Sequence, residues 1–516
     1  MSNSSRDASP DREFSVDIPD REPDLPLTTT IVHGPGVLAD GPVIQTTVPP
    51  VPRRPASPRH RFLESAVLFV CAIVFLRALA VEPFGVPTGS MAPTVIGNHK
   101  ALACDRCGYP VKVGEPANRA HGFPSSFCPN CGKADLNWSA APEIAGDRLL
   151  VDKNVFRLRS PRRWELAVFI CPSDKSKPYV KRVVGLPGEE VQLQDGDVWI
   201  DGRLCRKTLA EARACRVPVF DSHFAPPGGW HFRWLADGVV PLIGPGEPPE
   251  KPAWLKISGN EVSIEAATAV APHVVTYWHV SPDSLAPELI HDGLEYNGHT
   301  AAAHNYAVHD FFLDMDIEIR AGTGAVLFKM TDGADEVTAY LAAGGEFGES
   351  KLLTSPKALL KTANSAPLKL GKTYHVEMAF VDRRIAVAVD GNEYFSHDFP
   401  PSVQRADLTA PFKIGGQGVD VAFKNVRLWR DIYYRSVGTH ATQTPLRLGD
   451  DQYFLLGDNS ANSDDGRTWQ IPAVPERNFL GKPFLLHQPS RPAEWAVGGR
   501  RLDVQAIDWG RIRWLR

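Results

Sequence analysis

The feature that most limits what this chain can become is an apolar run near its start. Leu63 to Val81 is nineteen residues broken only by Glu64 and Arg77, and Ala66 to Leu76 carries no charge at all. As a helix, nineteen residues rise about 28 Å, close to the roughly 30 Å thickness of a bilayer core. Arg77 lies near enough to the far end to snorkel to the interface. Arg53, Arg54, Arg59 and Arg61 precede the run, and the first Lys or Arg after it is Lys100. The positive-inside rule then predicts a single pass through the cell (plasma or inner) membrane, with the N-terminus in the cytoplasm and everything after Val81 outside it. The run starts about 60 residues in, which fits an uncleaved anchor better than a secretory signal. A buried helix of a soluble domain is the alternative.

What precedes the run is of another kind. Of the chain's 45 prolines, eleven fall in residues 1–60, among Ser, Thr and Asp. Such a segment cannot bury enough apolar surface to offset ordering entropy, so 1–60 is expected to be a disordered cytoplasmic tail. The whole chain of 516 residues is 43% hydrophobic and 22% charged, which is ordinary for globular protein and leaves room for about three units. A net charge of −4 gives no support for nucleic-acid binding.

Three segments after the run carry chemistry. Directly beyond it, Val86-Pro87-Thr88-Gly89-Ser90-Met91-Ala92-Pro93-Thr94 must form an irregular turn around Ser90, because Gly89 and two prolines exclude a helix or strand. Tyr179-Val180-Lys181-Arg182-Val183-Val184-Gly185 reads as a strand ending in a Gly-Leu-Pro-Gly turn. Alternation puts Lys181 on an apolar face with Tyr179 and Val183. Desolvation there lowers a lysine pKa, and a neutral lysine can take a proton from a serine hydroxyl. The third segment, Gly457-Asp458-Asn459-Ser460-Ala461-Asn462-Ser463-Asp464-Asp465-Gly466-Arg467, follows an apolar strand and alone reads as a polar turn.

Taken together and in order, these segments resemble the type I signal peptidases, membrane-anchored Ser–Lys endopeptidases. Gly146-Asp147-Arg148-Leu149-Leu150-Val151-Asp152-Lys153 resembles the strand box that the family has between the first two segments. The resemblance implies roles residue by residue. Ser90 would be the nucleophile and Lys181 its general base. The backbone N–H of Ser90 and the hydroxyl of Thr88 would form the oxyanion hole. Ser463 would orient the lysine amine, Asp465 and Arg467 would pair as a support, and Asp147 would be structural. The chain departs from the family pattern at Gly466, where Ser is usual, and at Thr88, where many members have Ser. The first change is expected to loosen the Asp465–Arg467 support.

Two insertions interrupt this pattern. Cys104-Asp105-Arg106-Cys107-Gly108 and Cys128-Pro129-Asn130-Cys131-Gly132 are two C-x₂-C pairs at the spacing of a zinc ribbon, within 100–140. Four thiolates would close a structural zinc site with no position for a catalytic water. Disulfides are the alternative, since this segment is expected outside the cytoplasm. Cys205 and Cys215 could likewise pair. From about 222 to 430 short strands recur, at Glu261–Ala266, Phe311–Arg320, Ala325–Met330, Thr338–Leu341, Tyr374–Val381, Arg384–Val389 and Val419–Trp429, with Asp332-Gly333 and Asp390-Gly391 as hairpin signals. This stretch resembles the concanavalin-like or laminin-G-like jelly rolls, which implies a β-sandwich that either binds a glycan or protein ligand or serves as a spacer.

The expected fold class is therefore mainly β. One N-terminal transmembrane helix at 63–81 would carry a split catalytic core (82–221 and 431–516), a four-cysteine zinc ribbon and a β-sandwich. The expected activity is removal of signal peptides from exported preproteins, with no catalytic cofactor. The preprotein signal peptide and the lipid bilayer are the expected partners. A relative dedicated to one substrate, or a glycan-binding protein on a decayed protease scaffold, remain as alternatives.

Overall fold

In a computed structural model, residues 58–515 are described apart from 117–125, 135, 140, 242–249, 281–285, 299–305, 346–347, 357, 364, 403 and 498–499. The expected disordered tail, apart from its last three residues, lies outside the described residues. A helix spans Pro58–Leu79, and Phe62, Leu63 and the apolar residues Val67–Val70 along it are exposed. It ends before the expected boundary at Val81. Pro83 has no N–H to continue a helix and disfavours helical geometry at Glu82, so Val81–Gly85 is a strand instead. Among the described residues no helix is long and apolar enough to cross a membrane. The chain divides into two units, Met1–Ile73 and Val74–Arg516.

The second unit is mainly β. Its eight-stranded sheet runs in the order Val81–Gly85, Arg148–Asp152, Phe479–Leu486, Leu166–Ile170, Pro178–Gly185, Gln452–Leu456 and Ala473–Pro475, with Arg513–Trp514 added on Phe479–Leu486. Strands from the two ends of the chain alternate here, so the core closes only when both are present. Residues 431–434 form a loop joined to the rest by one bridge, Gly196 to Tyr434. A four-stranded sheet (Arg203–Leu204, Asp197–Ile200, Glu190–Gln194, Leu446–Arg447) packs beside the core.

The intervening residues build a thirteen-stranded antiparallel system around two long strands, Phe311–Thr331 and Phe412–Arg430. The two strands expected at Phe311–Arg320 and Ala325–Met330 are one continuous strand, with register shifts between Ile319 and Ala321 and between Gly322 and Ala325. Gly322 has φ +86°, which a bulge requires and most side chains resist. Asp390 and Gly391 both have positive φ and make the tight hairpin that the sequence signalled. Val217–Asp221 also pairs with Phe412–Arg430, so the strand that leaves the core is already part of this system.

The short C-terminal segment turns inward. Leu515 is buried with Met91, Val95, Leu149 and Leu166, and Arg511 makes two hydrogen bonds to the buried carboxylate of Asp147, at 3.1 and 2.7 Å. The Asp147 carboxylate also accepts from the Ile96 N–H at 2.8 Å, while its carbonyl accepts from Val86 N–H at 2.9 Å. Asp147 thereby holds both ends of the turn that carries Ser90. Arg511→Ala would leave that carboxylate without its cation. A loss of about 3 kcal/mol is expected, measured by thermal or denaturant unfolding; unchanged stability would show that Asp147 does not depend on the pair.

Candidate active site

Three elements converge on Ser90. The first is its own turn. Behind Ser90, Met91, Ala92 and Val95 are buried and anchor the segment to the sheet. On the other side Gly97 approaches so closely that a Cβ there would lie 2.3 Å from the Thr88 carbonyl carbon, so only glycine fits. Ser90 is half-buried and Thr88 exposed.

The second element is the strand Pro178–Gly185. It pairs with Gln452–Leu456, register Arg182 to Leu456, which delivers the third segment directly beside it. Lys181 and Arg182 are both buried, on opposite faces, as the alternation predicts. The Lys181 Nζ donates to the Ser463 hydroxyl at 3.1 Å. Burial pushes its pKa down to about 8, against the opposing pull of the Asp465 and Asp464 carboxylates. Arg182, on the opposite face, makes a two-point ion pair with Asp458, at 2.8 and 2.5 Å, and donates to the Trp164 and Ala214 carbonyls.

The third element binds the other two. Asn459 donates its N–H to the Ser90 carbonyl at 3.1 Å and its Nδ2 to the Gly89 carbonyl at 3.0 Å. Asp458 accepts from the Thr94 hydroxyl at 2.5 Å. At Gly457 a Cβ would lie 2.2 Å from the Ser463 hydroxyl and 2.5 Å from the Ser90 carbonyl oxygen. The serine turn and the hydroxyl that holds Lys181 therefore meet over one glycine. Asp465 and Arg467 form a buried two-point pair, both contacts 2.8 Å, and Asp465 also accepts from the Gly457 N–H at 3.0 Å. Burial pushes the Asp465 carboxyl up, but Arg467 outweighs it and holds the group below its ordinary range.

The pair is not loosened by Gly466, contrary to expectation. A Cβ on Gly466 would lie 2.6 Å from the Phe454 ring, so this core is built around glycine. The sequence alone points to Ser90, Lys181, Ser463, Asp465 and Arg467, and the structure brings the lysine, both serines and the pair together. It does not point to Arg182–Asp458 or Asn459. A signal exists for the first, since an arginine next to a buried strand lysine requires an acid.

The four cysteines Cys104, Cys107, Cys128 and Cys131 are buried and unbonded, with all four sulfurs within 4.8 Å of one another. The Cys104–Cys131 and Cys107–Cys128 distances are 3.7 and 3.6 Å. A metal held tetrahedrally by bonds of about 2.3 Å would place its sulfurs about 3.7 Å apart. The group could hold a structural metal ion. Cys205 and Cys215 are also unbonded.

Comparison with known proteins matches residues 133–226 and 414–487 to the family described as "Signal peptidase, peptidase S26". Ser90 lies outside the matched residues. Signal peptidase I of Rickettsia massiliae is 28% identical over 144 residues, 28% of this chain and 44% of the relative. Signal peptidase I of Rickettsia prowazekii matches over the same share at 28% identity. The match thus spans less than half the length of these curated relatives. Among solved structures, the carbohydrate-binding module CBM66 from Bacillus subtilis is 13% identical over 38% of this chain and 94% of its own, with a TM-score of 0.24. The exoplasmic/lumenal domain of VIP36 is 9% identical over 34% of this chain and 81% of its own, also at 0.24. Likenesses at that level decide nothing about this chain.

Gly466→Ser, which would restore the usual family residue, is expected to cost about 1–3 kcal/mol by overpacking Phe454. Chemical unfolding measures it; a stabilised variant would refute the packing argument. Over residues 133–226 and 414–487, the chain is similar to the signal peptidase family, peptidase S26.

Proposed function

We propose that this protein is a membrane-anchored serine endopeptidase that removes signal peptides from exported proteins by a Ser–Lys dyad. The observation that carries the reading is the placement of Lys181, buried and bonded to Ser463. A buried amine with a pKa of about 8, held by Ser463 beside the serine turn, is a base poised near the working pH. The partial family match and the names of the relatives support the substrate class.

In this mechanism the neutral Lys181 amine takes the proton of the Ser90 hydroxyl as the oxygen attacks the scissile carbonyl. The tetrahedral oxyanion is stabilised by the Ser90 N–H and the Thr88 hydroxyl. Lys181 then gives its proton to the leaving amine. A water, deprotonated by the same lysine, hydrolyses the acyl-enzyme. Ser463 keeps the amine aimed at Ser90, and the Asp465–Arg467 pair and Asp147 hold the framework.

The apolar run 63–81, read from the sequence, is the proposed anchor. Exposed Phe62, Leu63 and Val67–Val70 suit lipid surroundings, and the arginines at 53, 54, 59 and 61 favour a cytoplasmic N-terminus. A nucleophile nine residues after Val81 would then work at the outer face of the cell membrane, where cleavage sites emerge. Zinc is the proposed occupant of the four-cysteine group, a structural ion with no part in the reaction. The proposed organisation is a split core at 82–221 and 431–516, carrying the ribbon at 100–140 and the sandwich at 222–430, whose ligand would be a glycan or a protein.

The rate of preprotein cleavage by the detergent-solubilised chain should rise with pH to a plateau, with an inflection near pH 8. Below that pH Lys181 is protonated and cannot accept, so the rate falls about tenfold per unit. Ser90→Ala and Lys181→Ala should each abolish cleavage; processing by either variant at the wild-type rate would sink the dyad. For the ribbon, metal analysis of the purified chain should find about one zinc per molecule, and chelation should free four titratable thiols and lower the melting midpoint. Oxidised cysteines without metal would overturn the zinc assignment.

A further inference from the structure

The loop Asp292–Gly298 comes from the inserted region, far in sequence from every active-site segment and outside the residues that match the family. It nevertheless touches the serine turn directly. Asn297 and Asn459 face each other as a reciprocal amide pair, each Nδ2 donating to the other's Oδ1 at 2.7 Å. Asn459 is the residue that holds the Gly89 and Ser90 carbonyls. Asn297 Oδ1 also accepts from Asn462 at 3.3 Å, one residue before Ser463.

Tyr296 makes a second contact. Its ring fills the space beside Gly89 and Gly114. A Cβ on either glycine would lie 2.0 or 2.2 Å from the ring. Its hydroxyl donates to the Asn98 carbonyl at 2.9 Å, at the far end of the serine turn. The ring is therefore a pin between the nucleophile's turn and the hairpin His99–Gly114 that leads to the cysteine pairs.

The loop itself is held rigidly from behind. Arg435 makes a two-point pair with Asp292, at 2.6 and 3.1 Å, and Arg430 donates to the Asp292 and Gly293 carbonyls at 2.8 and 3.3 Å. Arg430 ends the long strand of the insertion. Ser126, beside Cys128, donates to the Glu295 carbonyl at 2.5 Å.

We propose that Asn297 and Tyr296 are positioning residues for Ser90, so that the inserted region completes the active site instead of merely interrupting the chain. The proposal rests on the Ser–Lys reading for its kinetic consequence. Asn297 fixes the Asn459 amide, and Asn459 fixes both carbonyls that orient the Ser90 side chain and N–H. Removing Asn297 frees that amide to rotate, and small displacements of a nucleophile cost rate more than binding.

The test uses the full chain in detergent, with Asn297→Ala and Tyr296→Phe beside the wild type. Asn297→Ala should lower kcat for preprotein cleavage about tenfold and leave KM nearly unchanged. The pH inflection should stay near 8, because Asn297 does not touch Lys181. Tyr296→Phe keeps the ring and loses only the bond to Asn98, so its kcat should fall less. Amide hydrogen exchange at residues 89–91 should speed up in Asn297→Ala while exchange in the strand Pro178–Gly185 stays unchanged. An unchanged kcat together with unchanged exchange in the serine turn overturns the proposal. An equal rise in exchange across the molecule would mean general loosening, and also overturns it. If the wild type cleaves nothing yet exchange still rises only at 89–91, the Ser–Lys reading falls and the positioning role stands.

Discussion

One buried ion pair underlies the arrangement of the site. Arg182 and Asp458 are almost wholly hidden from water, at 1% and 0% side-chain exposure, and they contact each other at two points. Charges so placed are costly unless fully paired. Around this pair the Arg182 guanidinium reaches the Trp164 and Ala214 carbonyls and Asp458 takes the Thr94 hydroxyl. The strand that carries the lysine, the segment that carries Ser463 and the turn that carries Ser90 are thus tied by one set of hydrogen bonds. Lys181 sits on the opposite face of the same strand, so the pair fixes the lysine's position from behind.

This division of faces explains how the pKa values of two neighbouring basic residues move in opposite directions. Arg182 remains charged because an acid meets it at short range. Lys181 donates to a serine hydroxyl, and the carboxylate that pulls on it most, Asp465, is committed to Arg467. Burial therefore prevails at the lysine and loses at the arginine.

Much of this was legible in the sequence because the relevant signals are local. The turn around Ser90 follows from Gly89 and its prolines, the buried lysine from strand alternation, and the cysteine cluster from its spacing. Asp390-Gly391 marked its hairpin for the same reason. What escaped depends on partners far apart in the chain. Nothing near Arg511 shows that it will meet Asp147, and nothing near Tyr296 or Asn297 shows that they will meet Gly89 and Asn459. The expectation that Gly466 weakens its neighbours failed for the same cause: the space it fills is set by Phe454, which only the fold brings there. The two strands expected on either side of 321–324 are one, because the backbone continues through that stretch by bulging.

The alternation of early and late strands in the central sheet has a consequence for the life of the chain on the ribosome. The serine turn and the lysine strand are made in the first 185 residues, but the strand that brings them together is Gln452–Leu456. A growing chain holds Ser90 and Lys181 for more than half of its synthesis before this strand exists to join their segments. The serine turn and the lysine strand can be joined only after the inserted region, which precedes that strand in the chain, has been made. Chain order thus sets when the candidate site can assemble.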